Sequence, residues 1–183
     1  MDELALNILD IACNSTKAGA SSVEIDVIAD RPADKLTIRI ADNGKGMEPD
    51  FAARVADPFT TTRTTRKVGM GIPLFKMAAE MSGGEFSIDT APGRGTVVTA
   101  TFGLSHVDRT PLGDLASTVT TLIGGAPSTE FKLRFALDGE EYVFDTREVR
   151  AAVGDDIDDA ETLAFIGDMI QENIDNIKKG VYI

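Results

Sequence analysis

The sequence predicts an α+β fold in which helices pack on a β-sheet. Segments that alternate apolar and polar residues, the pattern of half-buried strands, come in neighbouring pairs. Segments with apolar residues three or four positions apart, the pattern of amphipathic helices, lie between these pairs. A regular strand–helix–strand alternation, which would predict a parallel sheet, is absent from the sequence.

Length, composition and charge restrict the class of protein further. A chain of 183 residues, 43% hydrophobic and 26% charged, is typical of one globular domain with or without a small addition. The net charge of −12 argues against nucleic-acid binding, since phosphates are neutralised by clustered Lys and Arg. No apolar run is long enough to cross a bilayer, and the acidic N-terminus lacks a signal-peptide pattern. With Cys13 as the single cysteine, we expect a cytoplasmic protein that binds neither nucleic acid nor membrane.

The elements of the first part follow from these periodicities. Leu4, Ile8 and Ile11 recur at helical spacing, and Pro73 suits the first turn of a second long helix. In order, we predict a helix over 2–18, strands over 22–29 and 35–41, a short helix over 49–57, a polar loop over 60–67, a helix over 72–84, and strands over 85–89 and 95–102.

A change in composition near residue 104 predicts a domain boundary. Residues 105–183 carry 16 acidic and 7 basic side chains. They predict a helix over 113–123, a hairpin over 131–146 that turns at Asp138-Gly139, and a helix over 159–180. We therefore expect residues 105–183 to form a small acidic α+β domain suited to docking a protein partner. The alternative is that its apolar helix stripe packs on its own hairpin.

The first helix carries a polar stripe. Asp10, Asn14 and Lys17 are spaced i, i+4 and i+7 and therefore share one face. An acid can accept a proton, an amide oxygen is a hard ligand for Mg²⁺, and an ammonium can bind phosphate. Taken alone, the stripe is better explained as a solvated helix face with one i,i+4 pairing.

Two glycine-containing segments are the other candidates for chemistry. Asp42-Asn43-Gly44-Lys45-Gly46-Met47 follows a strand, where one glycine would already suffice for a turn. Gly69-Met70-Gly71 precedes a helix, and free N–H groups at a helix start favour phosphate. The alternative for the second segment is a helix entry that needs glycine only for packing.

In this order, the segments "LDIACNSTKAGA", "DNGKGM", "DPFTTTR", "GMGIP" and "GRGT" resemble the five sequence boxes of the GHKL superfamily (gyrase, heat-shock chaperone, histidine kinase, MutL). The resemblance covers roughly residues 2–104. It implies a two-layer α/β sandwich, the Bergerat or histidine-kinase-like ATPase fold, followed here by a small C-terminal α+β extension. It also implies binding of ATP or ADP with Mg²⁺.

The resemblance assigns roles to single residues. Asp42 matches the aspartate that accepts a hydrogen bond from the adenine amine, and Gly44 and Gly46 would give the purine room. Asn14 matches the Mg²⁺ ligand, and Lys17 matches a basic residue near the phosphates. Asp10 stands where several members carry a glutamate as general base, one methylene longer.

Further binding residues follow from the later boxes. Gly69, Met70 and Gly71 match backbone donors to phosphate, with Val68 beside them, and Thr96 matches a hydroxyl that reaches adenine through water. Residues 60–68 would form a lid over the nucleotide, with positive charge from Arg63, Arg66 and Lys67. A third set would frame the base or belong to the core: Met47, Phe59 and Ile72.

Two functions remain open at this stage. The chain begins at the Asn14 helix and has one histidine, His106, after the last strand of the module, which disfavours a conventional histidine kinase. One alternative is a stand-alone protein kinase acting on Ser or Thr of a partner, as in anti-sigma-factor kinases. The other is a nucleotide-gated interaction module, or slow ATPase, that regulates a partner. Resemblance to small ATP-binding proteins found with hydrogenase subunits would make that partner a redox enzyme. A homodimer is also open, since superfamily members commonly dimerise.

Overall fold

The computed structural model describes residues 3–56, 70–154 and 156–183. This part of the chain contains six α-helices, six β-strands and one short 3-10 turn at Asp156–Asp158. The helices are α1 (Leu4–Lys17), α2 (Pro49–Val55), α3 (Gly71–Met81), α4 (Leu115–Gly125), α5 (Thr146–Val153) and α6 (Ala160–Lys178). The strands are β1 (Ser22–Asp30), β2 (Lys35–Asp42), β3 (Phe86–Ala91), β4 (Gly95–Gly103), β5 (Glu130–Leu137) and β6 (Glu140–Asp145). The predicted α+β fold is confirmed, and the element boundaries shift by a few residues.

One six-stranded sheet runs through the molecule in the order β3-β4-β2-β1-β5-β6. Neighbouring strands are antiparallel except β1 and β5, which pair in parallel. Buried side chains alternate along the central strands, as Val23, Ile25 and Val27 do along β1. This alternation is expected when helices cover one face of a sheet.

Helix α1 packs its apolar stripe on the sheet. Leu4 and Ile8 are fully buried, as the helical spacing predicts. Among the described residues, no side chain caps the start of this helix; the N–H groups of Leu4 and Ala5 donate instead to the carbonyls of Pro111 and Leu112, each at 2.8 Å. The segment after β4 therefore satisfies donors that a helix start otherwise leaves unpaired.

The two parts on either side of residue 104 share one sheet and one hydrophobic core. The chain crosses from β4 through α4 and enters β5 beside β1, with Val23 opposite Phe131. Ile166, Ile170 and Ile174 of α6 are buried in this common core. The predicted boundary therefore marks a change of composition within a continuous sheet, because the strand that pairs with β5 belongs to the first part.

Local turn and cap chemistry explains the ends of the later elements. Asp138 and Gly139, both with positive φ, form the two-residue hairpin turn between β5 and β6, as predicted. The carboxylates of Asp145 and Asp159 accept hydrogen bonds at the starts of α5 and α6. Within the described residues, none of the helices is long and apolar enough to cross a membrane.

Candidate nucleotide-binding site

A cavity of about 270 Å³ lies between α1, the end of β2, α2, the start of α3 and β4. Its walls are largely apolar, with a few polar groups at one side, which is typical of a site for a small molecule. The residues that line it are Ile11, Asn14, Ser15, Lys17, Ala18, Ile40, Asp42, Lys45, Gly46, Met47, Phe51, Val55, Ile72, Thr96 and Val98. Seven of the residues singled out in the sequence thus meet around one space: Asn14, Lys17, Asp42, Gly46, Met47, Ile72 and Thr96.

The carboxylate of Asp42 is held by two donors. The Ser15 hydroxyl donates to Oδ2 at 2.6 Å, and the Gly44 N–H donates to Oδ1 at 2.8 Å. Asp42 is half-buried at the end of β2, so its direction is fixed before any ligand arrives. The lone pairs that remain can accept a hydrogen bond from an amine in the cavity.

Thr96 lies directly opposite Asp42 in the register between β2 and β4. Its hydroxyl is 3.1 Å from the hydroxyl of Thr90, which itself donates to the carbonyl of Gly95 at 2.9 Å. Because the single Thr90 proton is used there, Thr96 must donate to Thr90. The Thr96 oxygen then keeps acceptor capacity at the cavity wall.

Glycines interlock the Asp42 loop with the turn between β3 and β4. Gly46 has φ +67°, and a Cβ on it would lie 2.0 Å from the carbonyl oxygen of Ala91. Gly95 has φ +80°, and a Cβ there would lie 1.9 Å from the carbonyl oxygen of Asp42. The crowding that excludes a side chain at Gly46 therefore comes from the protein's own backbone. Room for a purine is not needed to explain this glycine.

Gly44 is constrained more mildly. A Cβ on Gly44 would lie 3.0 Å from Oδ1 of Asp42 and 3.2 Å from the carbonyl oxygen of Ala18. A side chain would press on the same carboxylate that the Gly44 N–H binds. This glycine therefore keeps the Asp42 carboxylate in its place.

Asp10 lies beside the start of α3. A Cβ on Gly71 would be 1.9 Å from Oδ2 of Asp10, so the carboxylate rests against the first residue of that helix. The positive end of the helix dipole favours a carboxylate at this point. Asn14 lines the cavity. Asp10 lies one helical turn before Asn14 on α1 and does not line it.

The start of α3 has the properties of an anion site. The N–H groups of Gly71 and Ile72 have no partner within the helix, and Pro73 has no N–H. Ile72 is buried and lines the cavity, whereas Met70 is mostly exposed and does not. The predicted binding residues Phe59, Arg63, Lys67, Val68 and Gly69, and the lid over 60–68, lie outside the described residues.

Several residues of this site are missed by sequence reasoning. Ser15 and Thr90 orient Asp42 and Thr96, while Lys45 and Phe51 line the cavity. A signal for Ser15 was available: it falls on the buried face of α1, where a hydroxyl needs a partner. No comparable signal exists for Thr90, whose role depends on the strand register.

Cys13 lies next to this site but outside it. Burial raises the pKa of its thiol above the usual 9.0, with Lys17 opposing the shift and Asp10 adding to it. The thiol is therefore protonated at neutral pH and is a weak nucleophile.

Comparison with known proteins identifies the family of the first part of the chain. Residues 1–106 match the family described as histidine kinase-, DNA gyrase B-, and HSP90-like ATPases. The sensor protein kinase FleS of Pseudomonas aeruginosa is 35% identical over 98 residues, which is 54% of this chain and 24% of that protein. The non-motile and phage-resistance protein of Caulobacter vibrioides is 31% identical over 113 residues, 58% of this chain and 13% of that protein. The matched region thus spans less than a quarter of either relative.

A solved structure supports the fold. The MutL ATPase domain of Aquifex aeolicus, complexed with ADP, superposes with a TM-score of 0.50 at 18% identity, over 77% of this chain and 62% of that domain. An α/β sandwich with a cavity between α1, the end of β2 and the start of α3, together with the family match, defines the class of protein as a GHKL-type ATP-binding domain. The chain belongs to the family of histidine kinase-, DNA gyrase B-, and HSP90-like ATPases.

Proposed function

We propose that this protein binds MgATP in the cavity and transfers the γ-phosphoryl group to a serine or threonine of a partner protein. The observation that carries the proposal is the fixed Asp42 carboxylate in the wall of a cavity that Asn14 and Lys17 also line. One end of the cavity thus suits a base with an exocyclic amine, and the other suits phosphates.

At the adenine end, Asp42 accepts a hydrogen bond from the exocyclic amine. The Thr96 oxygen, whose proton is directed to Thr90, accepts a second hydrogen bond directly or through water. Apolar contact with the ring comes from Met47, Ile72 and Val98. Guanine offers a carbonyl in place of the amine, so the site prefers adenine.

At the phosphate end, Lys17 and the first N–H groups of α3 neutralise negative charge. The Asn14 carboxamide lies in the cavity wall and presents a hard oxygen, which fits Mg²⁺. Mg²⁺ held by Asn14 and the phosphates would offset charge on the transferred group.

Asp10 is positioned to act as the general base. The acceptor hydroxyl gives its proton to the Asp10 carboxylate while its oxygen bonds to the γ-phosphorus. The bond from that phosphorus to the β,γ-bridging oxygen breaks, and ADP leaves with the bridging oxygen. Its contact with the first residue of α3, whose N–H groups we assign to phosphate, supports this role.

A second candidate function is a nucleotide-gated interaction module, and one hydrogen-bond network favours it. The Asn43 side chain accepts from the N–H groups of Ser21 and Ser22 at 2.9 and 3.0 Å, and Arg147 of α5 donates to the Ser22 hydroxyl at 3.1 Å. The loop that carries Asp42 is thereby linked to the acidic second part of the chain. Nucleotide binding could then change partner binding with little or no turnover.

Calorimetric titration of ATP and ADP, with and without Mg²⁺, tests the shared premise. We expect both nucleotides to bind, Asp42→Asn to abolish binding, and Asn14→Ala to remove only the Mg²⁺-dependent gain. Unchanged binding by Asp42→Asn would show that the adenine assignment is wrong.

Incubation with γ-labelled ATP then separates the two functions. Label transferred to Ser or Thr of a partner, and lost in Asp10→Asn, supports the kinase. Nucleotide binding without any loss of the γ-phosphate supports the gated module instead.

A further inference from the structure

The outer edge of β6 borders an apolar cleft that the nucleotide site does not use. The cleft, here called the β6 cleft, has a volume of about 530 Å³ and lies between β6, α5 and α6. Tyr142, Val149, Val153, Phe165 and Met169 line it. In the described part of the chain, β6 pairs only with β5, so its other edge has unpaired N–H and C=O groups.

Apolar side chains on this edge are exposed in a way that core packing does not explain. Phe165 is 67% exposed, Val143 42% and Val153 38%. On α6, which also carries Phe165, the side chains of Ile166 and Ile170 are fully buried. Phe165 therefore lies outside the stripe that attaches α6 to the sheet, and such a patch beside an open strand edge is typical of an interaction site.

The charges of the β6 cleft have one sign. Of the charged residues in the described part of the chain, Asp145, Glu148 and Glu161 line it, and no Lys or Arg does. Asp145 is paired with Arg147 at 3.3 Å. Glu148 and Glu161 have no ion-pair partner among the residues that the structure describes, and both are exposed. An occupant that brings positive charge would complement them.

We propose that the β6 cleft binds an extended segment of a partner protein, in which a short apolar run is flanked by Lys or Arg. The segment adds to the open edge of β6 as a seventh strand, and its main chain pairs with the free backbone groups of β6. Apolar side chains on its inner face fill the cleft between Tyr142 and Phe165. The flanking cations lie beside Glu148 and Glu161.

A second copy of this chain fits the cleft less well. Pairing β6 with β6 of another copy would bring two acidic rims together, on chains that each carry a net charge of −12. Like charges placed opposite each other oppose such an edge-to-edge contact. The proposal is independent of the nucleotide site.

Selection of peptides from a random 12-residue phage library on the full chain tests the proposal. We expect the enriched peptides to have a central apolar run with Lys or Arg on either side. Hydrogen exchange should show that a selected peptide protects the amides of residues 140–145. Phe165→Ser and Glu161→Lys should each lower the affinity for that peptide by about tenfold or more.

Asp168→Lys is the matched control. It makes the same charge change on the same helix, but Asp168 lines the groove towards α4. Its affinity for the peptide should stay within about twofold of the wild type. Phe165 is exposed, so Phe165→Ser should keep the wild-type thermal midpoint.

Three outcomes would overturn the proposal. The first is a selection without the basic and apolar pattern, or without enrichment. The second is a selected peptide whose binding neither Phe165→Ser nor Glu161→Lys weakens, or which protects amides elsewhere. The third is a wild-type dimer in sedimentation that Phe165→Ser dissociates, which would identify a second copy as the occupant.

Discussion

The hydroxyl of Ser15, in the last turn of α1, donates a 2.6 Å hydrogen bond to Oδ2 of Asp42 at the end of β2. Ser15 is 5% exposed, so this hydroxyl is held inside the protein beside the carboxylate. Together with the Gly44 N–H, the Ser15 hydroxyl fixes the carboxylate that we assign to adenine. Ser15 is therefore a positioning residue of the proposed site.

Replacement of this hydroxyl should weaken nucleotide binding. In Ser15→Ala, Asp42 loses a hydrogen bond to a charged group, so the Kd for both ATP and ADP should rise about tenfold. Calorimetry measures both values. Thr16→Ala is the matched control, because the Thr16 hydroxyl donates to the carbonyl of Cys13 and not to the site. Equal affinities for Ser15→Ala and wild type would contradict the positioning role.

Asp10→Asn should separate binding from chemistry. The amide keeps the size of the carboxylate but cannot accept the proton, so phosphoryl transfer or ATP hydrolysis should fall by about 100-fold or more. The Kd for ATP should change little, because Asp10 does not line the cavity. Turnover is measured by release or transfer of labelled γ-phosphate. Turnover at the wild-type rate in Asp10→Asn would remove the general-base assignment.

Gly46→Ala should destabilise the protein. A methyl group at Gly46 would clash with the carbonyl oxygen of Ala91 and strain a backbone at φ +67°. We expect the free energy of unfolding in urea to fall by about 2–4 kcal/mol. In the control Gly167→Ala, a Cβ in the middle of α6 meets Cγ2 of Thr120 at 3.5 Å, an ordinary contact. The free energy of unfolding of Gly167→Ala should rise by about 0.5–1 kcal/mol. A neutral Gly46→Ala would mean that the two loops are not interlocked.

Asp138, in the hairpin turn, should make the stability of the folded protein depend on pH. Its pKa is lowered from 3.8, foremost by the hydrogen bond from the Arg31 N–H and further by the Arg31 side chain, against partial desolvation. Because the folded pKa is depressed, the stabilisation is complete above the ordinary pKa and is lost as pH falls through the folded one. Urea midpoints of wild type and Asp138→Asn should therefore differ at pH 7 and converge below pH 3.8.

Arg31→Ala distinguishes the two contributions of Arg31 to this shift. It keeps the backbone N–H, which donates to Asp138 at 2.8 Å, and removes only the side chain. When Asp138→Asn is added to Arg31→Ala, the urea midpoints of the single and double variants should still converge at low pH for the most part. A difference in urea midpoint between wild type and Asp138→Asn that stays constant from pH 7 to pH 3 would contradict the lowered pKa of Asp138.

A fragment of residues 1–106 should not unfold cooperatively. It lacks β5, the neighbour of β1, and the carbonyls of Pro111 and Leu112 that accept from the start of α1. Thermal unfolding followed by circular dichroism compares the fragment with the full chain. A sharp transition near the midpoint of the full chain would show that residues 105–183 are a separable addition.

The order of elements and several site residues could be predicted from sequence because they depend on local pattern. Helical spacing places Leu4 and Ile8 on the sheet and Asn14 and Lys17 on another face of α1. The backbone turn at Asp138-Gly139 and the aspartate cap of α5 depend on backbone groups within three residues of themselves, although the Asp138 side chain also binds Arg31. The role of a residue that acts only on such neighbours can be predicted from the sequence.

The sequence by itself determined the type of every α-helix and β-strand except α5, the boxes that identify the family, and the presence of Asn14 and Asp42 in them. Only the tertiary structure decided that Ser15 binds Asp42, that Thr90 directs the proton of Thr96, and that β5 joins β1 in one sheet. These relationships depend on strand register and on which faces meet across many residues. Hydrophobic periodicity indicates which face is buried, but it carries no information on the neighbour that covers it.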